Sequence, residues 1–301
     1  MDKVLPGVSR SAMAFIVEHW LPLLKISALP LTIILAVAFY QLQGMGTMMQ
    51  FIVMQSQQGD KMDPAAVSQM ISALTPIYAA GLLSVFAFVW MFVRIVRFWK
   101  NGVGSLLGLT SGEVGATFMT LVYGLGIMLL TLLVYFAGAF ALALIVGLGA
   151  TILGNSALAV AGSILAVFVG ILAMFGLIVF MYRFFVGLPG VALGEVPGFF
   201  SDIWPLAKGE SYGIPLRLVL WSAVAMIPIF IIGSMFSYPL FSEIAEQLKT
   251  QPTLSPDMIA HIMKTMAPLQ VVNLILQTPL IWLTTILLTD AHFRFRKKLS
   301  G

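Results

Sequence analysis

Apolar residues run along this chain in long blocks, separated by short polar clusters. A helix crossing a hydrocarbon layer of about 30 Å needs about 20 apolar residues. Blocks at 22–42, 76–98, 116–148, 157–186, 214–237 and 268–290 reach that length. The pattern predicts an all-α polytopic membrane protein of about six transmembrane helices, with residues 1–301 as a single integral membrane domain. From Val114 to Tyr182 no residue is charged. That stretch is too long for one span and reads as a hairpin turning at Gly154-Asn155-Ser156. Upstream, Ser9 to Leu21 is amphipathic, with Met13, Ile16, Val17 and Trp20 on one face. It reads as an interfacial helix, and Pro22 marks the turn into the membrane. The first apolar run lacks a small-residue cleavage site and reads as a retained span.

The pattern also repeats. Asp63-Pro64-Ala65-Ala66 leads to Pro76 and a span; Ser255-Pro256-Asp257-Met258 leads to Pro268 and a span. Each reads as a short outer helix opened by proline in its first turn. Leu109-Thr110-Ser111-Gly112-Glu113 and Leu206-Ala207-Lys208-Gly209-Glu210 form a second pair, each just before a span. The expectation is two related halves of three spans, a plan shared by transporters and by plain duplications.

Composition agrees. Sixty per cent of residues are apolar and 9% charged, against about 25% charged in soluble domains. Cysteine is absent, which excludes disulfides and thiolate chemistry. With the N-terminus placed inside, thirteen of the sixteen basic residues fall on inner segments, and only Lys61, Lys249 and Lys264 fall outside. The positive-inside rule then puts both termini in the cytoplasm.

The inner loop after the fourth span reads Arg183-Phe184-Phe185-Val186-Gly187-Leu188-Pro189-Gly190-Val191-Ala192-Leu193-Gly194-Glu195 and continues to Ile203-Trp204-Pro205-Leu206-Ala207-Lys208-Gly209. This resembles YciC-like bacterial inner-membrane proteins and the membrane domain of some glycerophosphoryl diester phosphodiesterases. Arg183, Pro189, Glu195, Trp204, Leu206, Lys208 and Gly209 carry the likeness. Ile203, Ser201, Asp202 and Pro205 depart from it. The resemblance implies a six-helix fold in a bacterial cytoplasmic membrane and no catalytic residues.

Polar residues give two candidate sites. Arg94, Arg97, Lys100, Arg183, Glu195, Lys208 and Arg217 gather on the inner face, and suit an anionic ligand or a phospholipid headgroup. The plainer reading is charge anchoring with ion pairs that fix the 189–209 loop. Gln270, Asn273, Gln277 and Thr284 form a polar stripe on the last span, either a conduit lining or interhelical hydrogen bonding. Asp290 and Arg294, four apart, read as an ion pair. The clustered methionines read as flexible apolar filler, and no metal or cofactor site is expected. Glycines of the central hairpin suit close packing, or self-association with a second copy or another membrane protein. Nothing points to nucleic acid. The leading expectation is a non-enzymatic protein of envelope or lipid homeostasis that binds lipid or scaffolds a partner. Alternatives are a small-solute transporter or channel and, more weakly, an intramembrane lipid-modifying enzyme.

Overall fold

A computed structural model describes residues 4–58, 64–102, 110–153, 169, 176–177, 180–195, 201–202, 205, 227, 230–231, 233–235, 238, 242, 246 and 256–300. Among them there is no strand. Helices α1 (Val4–Gln58), α2 (Pro64–Asn101), α3 (Ser111–Leu153) and α5 (Pro256–Ser300) dominate, with the five-residue α4 (Leu188–Ala192) between α3 and α5. Four segments are long and apolar enough to cross a membrane: Ala12–Leu42, Leu74–Asn101, Ser111–Gly138 and Pro268–Lys297. They correspond to the first, second, third and sixth predicted blocks. The fourth and fifth blocks, the turn at 154–156 and the motif at 206–210 lie mostly or wholly outside the described residues.

The prolines behave in two ways. Pro64 and Pro256 are the first described residues of α2 and α5, and a proline in a first turn forfeits no intrahelical bond. Pro76 and Pro268, expected to separate outer helices from spans, instead lie inside continuous helices. A membrane helix tolerates an internal proline when other groups satisfy the exposed carbonyl. Outer segment and span are therefore one helix at both places. The break before the first span falls at His19 (φ −119°, ψ 21°), three residues ahead of the expected Pro22. Pro22 then sits in the first turn of the following helix, where the N–H that proline lacks would have had no intrahelical partner. Met13, Val17 and Trp20 of the predicted apolar face are exposed, as suits a lipid-facing surface.

The chain divides into two compact units that interleave along the sequence and do not follow the two predicted halves. One comprises 12–114 and 220–286, the other 1–11, 115–219 and 287–301. In the first, Leu23 and Ile26 of α1, Trp90, Met91, Val93 and Ile95 of α2, and Ile286 of α5 are fully buried. Phe15 packs edge-on to Trp99 at 4.4 Å and stacks on His19 at 4.3 Å, so aromatic contacts hold the break in α1 against the end of α2. In the second unit, Ile127, Phe184, Val191, Ala192 and Ala291 make the core. Buried threonines there and in α5 bond within their own helix: Thr120, Thr131, Thr278 and Thr285 each donate to the carbonyl four residues back.

Candidate functional site

Among the described residues each unit holds a cluster of buried polar groups, and each cluster begins with a local backbone problem. In the unit comprising 12–114 and 220–286, the problem is Pro30 inside α1. Proline has no N–H, so the Ile26 carbonyl, its i−4 partner, loses its helical donor. Arg94 of α2 supplies one: Nη1 donates to the Ile26 oxygen at 3.0 Å. Arg94 is 3% exposed, its guanidinium lies 5.3 Å from the Trp90 ring, and the buried Glu113 attracts its charge. One residue on from Ile26, the Ser27 hydroxyl accepts from Trp282 Nε1 of α5 at 2.9 Å. Three helices thus meet around the turn that Pro30 disrupts.

Arg97 donates from Nη2 to the Gly112 carbonyl at 2.9 Å, tying the end of α2 to the start of α3. That start is itself capped. Thr110 stands at the N-cap, and its hydroxyl accepts from the Glu113 N–H at 3.2 Å. Thr110-Ser111-Gly112-Glu113 has the capping-box sequence, so half of the repeated inner motif has a local purpose. Exposure rises along the predicted face, from buried Arg94 through half-buried Arg97 to exposed Lys100.

In the other unit the cluster is built by the turn that carries the family resemblance. Leu188 to Ala192 form one buried helical turn with Pro189 near its start. The turn ends in a Schellman arrangement. Glu195 N–H donates to the Gly190 carbonyl at 3.0 Å, and Gly194 N–H donates to the Val191 carbonyl at 2.9 Å. Gly194 has φ +93°, which a residue with a Cβ adopts only at a cost. The reversal returns Glu195 over Gly190. A Cβ on Gly190 would lie 2.7 Å from Glu195 Oε2 and 2.8 Å from His292 Cε1. Glycine at this position is therefore what lets carboxylate, imidazole and backbone come together.

Glu195 Oε1 accepts from Arg296 Nη1, and Glu195 Oε2 faces His292 Nε2 at 3.7 Å. The other imidazole nitrogen, Nδ1, is 2.9 Å from the Val186 carbonyl. A carbonyl only accepts, so Nδ1 carries a proton. His292 is 4% exposed, whereas Arg296 is 55% exposed. Asp290 and Arg294 form the predicted pair at 3.0 Å.

The predicted inner-face residues thus divide between the units. Arg94, Arg97 and Lys100 belong to one; Arg183 and Glu195 belong to the other, where Arg183 is half-buried. Lys208 and Arg217 lie outside the described residues. In the last helix Gln270, Asn273, Gln277 and Thr284 are all half-buried, and Gln277 donates its amide to Asn273 at 2.9 Å. His292 and Arg296 are the members the sequence reading missed. They lie about a hundred residues from Val186 and Glu195, 106 and 101 positions away respectively. Among the described residues no group of three or more His, Cys, Asp or Glu is placed to hold a metal ion.

No family model, curated protein or solved structure matches the chain. The class that composition and helices define is that of a multi-helix membrane protein.

Proposed function

We propose that this chain is a six-span integral protein of a bacterial cytoplasmic membrane, both termini cytoplasmic, built as two related halves. In this reading it binds anionic phospholipid or scaffolds a partner protein in envelope or lipid homeostasis, and it is not an enzyme. The YciC-like resemblance supplies the family. The observation that carries the reading is how the buried polar groups are used. Arg94 serves a carbonyl exposed by Pro30, Trp282 serves Ser27, and His292 serves Val186. These are the tasks of a scaffold. The exposed cations Lys100, Arg296 and Lys297 stand near the ends of α2 and α5. A phospholipid headgroup meets such cations by charge-assisted hydrogen bonding.

A second reading, a small-solute transporter or channel, is favoured by the half-buried stripe on α5. Within that stripe, however, the Gln277 amide is spent on Asn273 of the same helix. In proteoliposomes, leakage of small neutral and charged solutes should match that of protein-free vesicles, and Gln277→Leu should leave it unchanged. Solute flux well above the vesicle background that falls on Gln277→Leu would replace the first reading with the second.

A further inference from the structure

His292 combines three properties. It is buried, its Nδ1 is committed as a donor to the Val186 carbonyl, and its Nε2 has no hydrogen-bond partner among the described residues. In the neutral ring Nε2 is then a bare lone pair. Glu195 Oε2 lies 3.7 Å away, and an ionised carboxylate is acceptor-only. Two acceptors therefore face each other across a distance too long for contact and too short for comfort. One added proton turns this opposition into a donor–acceptor pair.

We propose that His292 Nε2 and Glu195 Oε2 form a binding site for a single proton, and that its uptake latches the Gly187–Glu195 turn onto α5. The proton comes from water. One N–H bond forms on Nε2, or equivalently one O–H on Glu195, and no other covalent bond changes. The pair then closes from 3.7 Å towards the ~2.8 Å of a charge-assisted hydrogen bond. Because Glu195 N–H is bonded to Gly190 at the Schellman end, a pull on the carboxylate acts on the whole turn.

The charges acting on the ring are Glu195, on the segment after α4, and Arg296, one turn along α5. Arg183 is the charged side chain of the packed segment Phe180–Ala192, and Asp290 of α5 is engaged by Arg294. From α3 this unit takes only residues beyond Val114, which are uncharged as far as Tyr182. Arg296 holds Oε1 of the same carboxylate, so the latch adds to that ion pair without replacing it.

The test is hydrogen exchange of the full chain in lipid nanodiscs, read on peptides spanning 187–195 and corrected for intrinsic rates. Between pH about 8 and about 4, a range that reaches below the common histidine window, exchange at Leu193, Gly194 and Glu195 should slow about tenfold, the weight of one charge-assisted hydrogen bond. Glu195→Gln places an amide donor opposite the bare Nε2 while keeping an oxygen for Arg296. It should show the slow rates at both pH values. His292→Phe should show the fast rates at both. Equal rates in the parent at the two pH values would overturn the proposal. So would a response that survives in His292→Phe or remains full in Glu195→Gln, the variant that still decides if His292→Phe does not fold.

Discussion

Arg94→Ala should destabilise the unit comprising 12–114 and 220–286 by about 3–5 kcal/mol, the usual cost of removing one partner from a buried charge pair. The loss has two parts. Glu113, itself buried, loses an attracting charge. The Ile26 carbonyl loses its donor, since Pro30 cannot supply one. The second part can be isolated. Pro30→Ala returns an N–H to the position that should bond Ile26. In that background Arg94→Ala should cost at least about 1 kcal/mol less, a coupling within the range for residues sharing one network. Thermal unfolding of the four chains in nanodiscs measures it. Costs that add within about 0.3 kcal/mol would mean that Arg94 does not serve the carbonyl Pro30 exposes.

Gly190→Ala is the second large effect. A methyl group there meets Glu195 Oε2 at 2.7 Å and two atoms of the His292 ring at 2.8 and 3.1 Å. The carboxylate is the end of a flexible side chain and can move away. The ring cannot move without breaking its hydrogen bond to Val186. Overpacking of this kind costs about 1–3 kcal/mol, and loss of the Glu195–His292 approach adds to it. Gly194→Ala makes a useful contrast. Its Cβ meets nothing within 4 Å, so its cost of about 1–2 kcal/mol comes from φ alone. A Gly190→Ala chain that melts with the parent would show that the turn, ring and carboxylate are not packed as described.

Hydropathy made much of the described fold legible. The four long apolar helices fall where unbroken apolar blocks predict them. The ion pair of Asp290 and Arg294 was readable because its spacing is local, whereas the equally local cap at Thr110 was seen only as part of a repeated motif. Pro76 and Pro268 misled because a proline in lipid need not end a helix. The role of Arg94 was hidden for a related reason. Its acceptor is a backbone atom 68 positions away, made available by a third residue. The usable signal was a proline in one span beside an arginine in the next. His292 looked isolated among only three histidines, since its partners lie in a turn that α5 reaches only in the fold.

The site in the loop was half legible. Glu195 stood out as the acidic residue of a recognisable motif, but its partners were sought among upstream arginines. The structure pairs it with Arg296 and His292 near the C-terminal end of α5. The two glycines of the motif carry as much of the geometry as its charges do, because one permits the reversal and the other permits the approach.

The most direct test of the lipid-binding reading is native mass spectrometry of the full chain released from membranes in mild detergent. The account predicts a protein that retains phospholipid, anionic species before zwitterionic ones, with less retained when Lys100 and Lys297 are both changed to glutamine. A chain that emerges without lipid or partner protein, or whose bound lipid ignores headgroup charge and both substitutions, would contradict it.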